Sequence, residues 1–137
     1  MSATPATPDA VATGFADLGG VALECPDPAA LAEFYRRVTG WPVVYADPDW
    51  CSIGTGRDAA FHLSFQRSAG YQRPTWPDPA SSMQFHLHLR VDDLDAAERM
   101  VLVLGATRFD RQPDPTRARV FADPAGHPFC LCPRARG

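Results

Sequence analysis

The 137-residue chain has no lysine and no asparagine, and isoleucine occurs once, at Ile53. Its 13 basic residues are all arginine and stand against 16 acidic ones, a formal net charge of −3. The arginines are scattered rather than clustered, which argues against nucleic acid or an anionic membrane as a main partner. We read the missing residue types as codon bias, not physics. No apolar run approaches the ~18–20 residues of a membrane span. Residues 1–13 show neither the basic start nor the apolar stretch of a secretion signal, so a cytoplasmic location is expected. The four cysteines, Cys25, Cys51, Cys130 and Cys132, form no CxxC pair, which removes zinc-ribbon and thioredoxin readings. Cys130 and Cys132 sit two apart on an apparent strand, where their Cβ atoms are too far apart for a disulfide; reduced thiols are expected. The sequence also lacks a GxSxG elbow, HExxH, GxGxxG and a phosphate-binding glycine loop.

What is present is ordinary for one globular domain: 45% hydrophobic and 21% charged residues at a length that supports a single core. Residues 1–15 have no periodicity and are expected to form a disordered tail, followed by a single domain over 16–133 and a frayed end at 134–137. Gly19 to Cys25 alternates as a strand. Asp27 and Pro28 then supply an N-cap and a first helical residue, and the helix runs to Thr39 with Gly40 as its stop. Short strands are expected at Val43–Ala46, Trp50–Gly54 and Phe61–Gln66. Residues 67–82 read as a bridge around Trp76. Met83 to Val91 is the cleanest alternating segment; Asp93 caps a helix from Leu94 to Leu104, Gly105 ends it, and a hairpin closes the chain at Val120–Ala122 and Phe129–Cys132. Strand, Asp-capped helix, Gly stop and hairpin therefore occur twice, with Asp27 and Asp93 separated by 66 residues. Module 1 spans about 18–66 and module 2 about 83–132. Neither should bury its helix and sheet faces alone, so the two should pair.

Parity divides the strands into two faces. The odd-numbered residues Val21, Leu23, Phe61, Leu63, Phe65, Phe85, Leu87, Leu89, Phe129 and Leu131 are apolar and should pack under the helices. The even-numbered residues Glu24, His62, Gln66, His86, His88, Arg90, Cys130 and Cys132 are chemically capable. They describe either a concave pocket or the wet face of a half-buried sheet. His86-Leu87-His88 places two imidazoles on one strand face, where they can chelate one metal, or where a carboxylate can orient one of them with no metal at all. His62 and Glu24 could complete a site if their strands lie opposite. Cys130 is either a soft ligand or a small buried apolar group. His127, beside Gly126 in a turn, reads as a surface residue, and Trp41 and Trp76 could wall a pocket.

The runs from Val21 to Asp27, Phe34-Tyr35, Gly40-Trp41, Phe85-His86-Leu87, Val91 to Ala97, Leu104-Gly105-Ala106 and Asp123 to Cys130 resemble the glyoxalase-like branch of the vicinal oxygen chelate superfamily, and Phe65-Gln66-Arg67 with Trp76-Pro77-Asp78-Pro79 resemble its actinobacterial type. The resemblance extends from about Leu18 to Cys132. It implies an α+β fold: two paired βαβββ modules forming a cup-shaped, half-open mixed β-sheet barrel with helices outside. It also implies metal ligands on the first and last strand of each repeat, here Gly20, His62, His86 and Cys130. Gly20 has no side chain to offer, and Cys130 stands where such enzymes usually carry Glu. The expected function is therefore small-molecule binding or catalysis in the cup, with His62, Gln66, Trp76, His86, His88, Arg90 and Cys130 around the ligand. One form is a lyase, isomerase or dioxygenase acting on vicinal oxygens, with Glu24 as catalytic base and a divalent metal (zinc, iron, manganese or nickel) on His86, His88 and His62. The other is a metal-free resistance or sequestration protein like the bleomycin-binding members. A homodimer is expected.

Overall fold

Two aspartates start the two helices. Asp27 accepts a hydrogen bond from the Ala30 amide at 3.3 Å and Asp93 from the Ala96 amide at 3.1 Å, each satisfying an amide that the first turn leaves without a partner. In a computed structural model, which describes residues 14–80 and 85–134, these caps open α1 (Pro28–Thr39) and α2 (Leu94–Val103). The strands are β1 (Gly20–Cys25), β2 (Val43–Asp47), β3 (Trp50–Ile53), β4 (His62–Arg67), β5 (Leu87–Val91), β6 (Thr107–Arg108), β7 (Arg119–Ala122) and β8 (Pro128–Pro133). Most of the expected disordered tail and frayed end, and the junction of the bridge with module 2, fall outside the described residues.

The strands form two four-stranded mixed sheets, in the orders β1-β4-β3-β2 and β5-β8-β7-β6. This is the α+β arrangement of paired βαβββ modules, and the described residues form no closed barrel. In each sheet the first and last strands of the repeat run parallel and the others antiparallel. The two parallel ladders are copies of one another. Cys25 pairs with Arg67, and Val91 pairs with Pro133, each residue displaced by the same 66 positions. That register corrects one correspondence. His62 matches Pro128, and the counterpart of Cys130 is Ser64, because the ladder rather than the hairpin length sets the alignment of the repeats.

The odd-numbered faces build the core as parity requires. Cys51, Ile53, Leu63 and Phe65 of the first sheet and Phe121, Phe129 and Leu131 of the second are buried with Leu31, Phe34, Tyr35 and Val101 of the helices. The core is continuous across the repeats. Tyr35 stacks on Phe65 at 5.6 Å, and its neighbour Phe34 meets Phe129 at 5.9 Å. Tyr35 also donates a 2.7 Å hydrogen bond to the Asp123 carboxylate, 88 residues away.

Two expectations fail at the edges. β5 begins at Leu87, not Met83, because its ladder to β8 starts there; Met83 itself lies outside the described residues. Phe85 precedes the strand and is 86% exposed, so it is not packed under a helix. Val21 is exposed, and Leu23, Phe61, Leu87 and Leu89 are only half-buried: Phe61 precedes β4, and β1 and β5 are edge strands, with a partner on one side alone among the described residues. The second strand of the second repeat, β6, is two residues long and left no alternation to detect.

Because the core crosses the repeats, residues 1–75 and 80–137 expressed separately should not fold as monomers; a sharp monomeric melting transition in either half would refute this. Tyr35→Phe leaves the buried Asp123 short of one donor and should cost about 1–3 kcal/mol in a denaturant titration.

Candidate functional site

The even-numbered face of the second sheet carries the densest chemistry. His88 is paired with Cys130 on one rung of the β5–β8 ladder, and Arg90 with Cys132 two residues on. His86 lies just before β5, its Nε2 2.8 Å from the Nε2 of His88. Two imidazole nitrogens at that distance share one proton, one ring donating and the other accepting. The pKa of His86 is lowered by partial burial and, secondarily, by the neighbouring His88. Beneath them Cys130 is buried, and its thiol pKa is raised mainly by that burial. One ring nitrogen of each histidine and the Cys130 Sγ all lie within 4.8 Å of one another, the one such His/Cys/Asp/Glu group among the described residues. Cys132 Sγ approaches His88 Nδ1 at 3.7 Å.

The matching face of the first sheet is different. At the rungs that correspond to His88 and Cys130 it carries Ala22 and Ser64. The Ser64 hydroxyl is bonded to Ser52 at 2.7 Å, and Ser52 accepts from the Trp50 indole at 2.7 Å. Gly20 sits where the carbonyl of His62 would collide with any Cβ, so close strand approach excludes a side chain there. His62 turns to the Gly56 carbonyl at 3.3 Å, in a hollow with Val44, Tyr45, Ser52, Arg57 and Asp58. Glu24 and Gln66 share a rung and are exposed. The expected grouping of His62 with His86 and His88 is therefore not what the structure brings together; Cys130 takes the third place. The four first- and last-strand positions implied for a metal do not fit one either, since Gly20 supplies nothing and His62 faces its own hairpin.

Two cavities flank β5, and Leu87 lines both. One, of about 230 Å³, is walled by Val21, Leu23, Pro74, Phe85, His86 and His127. The other, of about 480 Å³, is a groove between the repeats with Trp41, Phe61, Leu63 and Leu89 as apolar walls and His88, Arg90 and Arg134 as polar groups. Trp41 thus lines a cavity, whereas Trp76 packs edge-on against Phe109 at 4.9 Å.

His127 is not a plain surface residue. Its Nδ1 lies 3.0 Å from Asp123 Oδ2, and its Nε2 lies 3.1 Å from the Tyr71 hydroxyl. Asp123 is fully buried and also accepts from the Ala125 and His127 amides at 2.9 and 3.0 Å. Arg73 of the bridge donates to the Pro124 carbonyl at 3.0 Å and lies where a Cβ on Gly126, φ 100°, would stand. The Asp-Pro-Ala-Gly-His turn was visible in the sequence, but nothing local marked Tyr35 and Tyr71 as its partners.

The family profile described as glyoxalase-like domain matches residues 20–132. No curated protein matches the chain. Among solved structures, a glyoxalase/bleomycin resistance protein/dioxygenase family enzyme from Burkholderia phytofirmans superposes with a TM-score of 0.65 at 18% identity, covering 86% of this chain and 98% of that one. A glyoxalase-related enzyme from Fulvimarina pelagi gives 0.62 at 18% identity over 88% and 89%. A fosfomycin resistance protein from Mesorhizobium loti gives 0.59 at 16% identity over 89% and 92%. These likenesses are of fold.

The buried network has an alkaline signature. Burial, and then the Asp123 charge, push the Tyr71 phenol up to about 12 and Tyr35 well above its ordinary value of 10.0. In the unfolded chain both phenols ionise near 10. The folded chain keeps its protons longer, so this contribution to stability is whole below pH 10 and is lost as pH rises through about 12. Phenolate absorbance should therefore show two tyrosines lagging well behind free tyrosine. A simple transition at the ordinary value would contradict the network.

Proposed function

This chain belongs to the glyoxalase-like domain family, and from that premise we propose that it binds a small molecule in the cup region where the two sheets meet, seated in the groove beside β5. The observation that carries this reading is the groove itself. Its volume of about 480 Å³ falls in the range of small-molecule sites, and it combines aromatic and aliphatic walls with a few cationic groups. Such a lining suits a planar or amphipathic molecule whose apolar body lies against Trp41, Phe61 and Leu63 while an anionic or oxygen-rich end meets Arg90 and His88. The absence of a ligand side chain at Gly20, Ala22 and the engaged Ser64 supports sequestration or binding without a metal spanning both sheets. The free edges of β1 and β5 support a homodimer, in which a second copy would cover them.

A thermal-shift screen of diketones, catechols, thiol adducts and glycopeptides on chelator-treated protein tests the reading. For any hit, Trp41→Ala and Arg90→Ala should each weaken binding by about tenfold or more in calorimetry, the effect of losing one good anchoring contact. Arg99→Ala, on the outer face of α2, should leave it unchanged. No shift across the screen, or affinity indifferent to both groove substitutions, would refute this location.

A further inference from the structure

The two helices are equivalent by position and unlike in cover. The displacement of 66 residues between the repeats carries from their caps, Asp27 and Asp93, into the helices, so Phe34 corresponds to Met100 and Arg37 to Val103. Phe34 is buried against Phe129 of the other repeat, whereas Met100 is 63% exposed and Val103 85% exposed. Single exposed apolar residues are ordinary. Here Ala96, Met100 and Val103 stand at i, i+4 and i+7 and form one stripe along α2. Two adjoining hollows, of about 550 and 450 Å³, join that stripe to Ala30, Phe34 and Arg37 of α1. We propose that this inter-helix groove docks an amphipathic helix of another protein, apolar along one stripe and acidic on its flanks.

Charge selects the partner. Glu33 is the one carboxylate lining the groove, and it already accepts from Arg36 at 2.8 Å and Arg37 at 3.0 Å. Arg99 lines the same groove and has no ion-pair or hydrogen-bond partner among the described residues. The other carboxylates of α2, Asp95 and Glu98, are turned to Arg119 and Arg108 on the far side. The groove is therefore cationic on a chain whose formal net charge is −3. Acidic side chains at the edges of a docked helix would meet Arg37 and Arg99 and fix its direction, while apolar contact supplies the affinity.

The same charges argue against the other occupants. A second copy of the chain would set these guanidiniums against their own kind. Residues 1–13 offer one carboxylate side chain, Asp9, and no leucine, isoleucine or phenylalanine for the stripe. A small molecule is buried on most of its surface in an effective site, and walls as exposed as Met100 and Val103 do not enclose one. A helix brings its own bulk and seats residues at i, i+3, i+4 and i+7 in such a groove. The inter-helix groove shares no lining residue with the one beside β5, so the two bind independently.

Fluorescence anisotropy with the full chain is the test. The probe is a labelled helix-forming peptide of about 18 residues, with leucine along one stripe and glutamate on its flanks. Wild type should bind it saturably, more weakly as salt rises, and should not bind the counterpart with lysine flanks. Val103→Glu and Arg99→Glu, both at exposed positions, should each weaken binding at least about tenfold. Arg57→Glu, an exposed charge reversal outside the groove, should leave it unchanged. Neither groove variant should change the sedimentation of the free protein or the affinity of any ligand seated beside β5. The proposal is overturned if the acidic peptide does not bind, if the lysine peptide binds as well, or if both groove variants bind like wild type. It is also overturned if Val103→Glu dissociates an oligomer, which would make a second copy the occupant, or if a peptide of residues 1–13 binds as tightly as the acidic helix.

Discussion

The carboxylate of Asp123 is the interaction on which the assembly of the two repeats turns. It is fully buried, and a buried charge is tolerated only when it is hydrogen-bonded on all sides. Here a phenol, two backbone amides and an imidazole nitrogen surround it. Each donor comes with structure attached. Tyr35 brings α1 of the first repeat, the amides set the closing turn of the second, and His127 passes the contact on to Tyr71 of the bridge. Removing any member exposes the others to an uncompensated charge. The joint is therefore held by a polar network at the centre of an apolar seam formed by Phe34, Tyr35, Phe65 and Phe129.

Duplication has given the two sheets the same ladder and different chemistry. The rung that carries His88 and Cys130 in one carries Ala22 and Ser64 in the other. Nothing in backbone hydrogen bonding requires this difference, because the ladder is made by main-chain atoms whatever side chains they carry. The exception is Gly20, where the His62 carbonyl occupies the space of a Cβ. That position is closed to a ligand by packing, so the first sheet could not regain a histidine there without its strands moving apart.

The edge strands β1 and β5 explain why the candidate cavities lie where they do. Among the described residues each strand is hydrogen-bonded on one side only, and Leu23, Leu87 and Leu89 on them are half-buried. Apolar side chains that are neither in the core nor in water are the natural lining of a cavity, and both cavities beside β5 use them. Trp41 and Phe61 supply the opposite wall of the larger one.

The sequence by itself determined the repeat, the two caps and the parity of the strands. Alternation of apolar and polar residues, Asp before a helix and Gly after it are local signals with local physical causes. The same parity put His86, His88 and Cys130 on one face. What only the tertiary structure decided was register and company. The ladder, not the turn lengths, aligned Ser64 with Cys130 and sent His62 to its own hairpin. Folding turned His127 from an apparent surface residue into a partner of Asp123 and Tyr71, set Trp76 against Phe109 and left Phe85 in the open. These outcomes depend on how strands from distant parts of the chain meet. Pairwise spacing along one strand carries no information about which residue of another strand, or of a bridge, will stand opposite it.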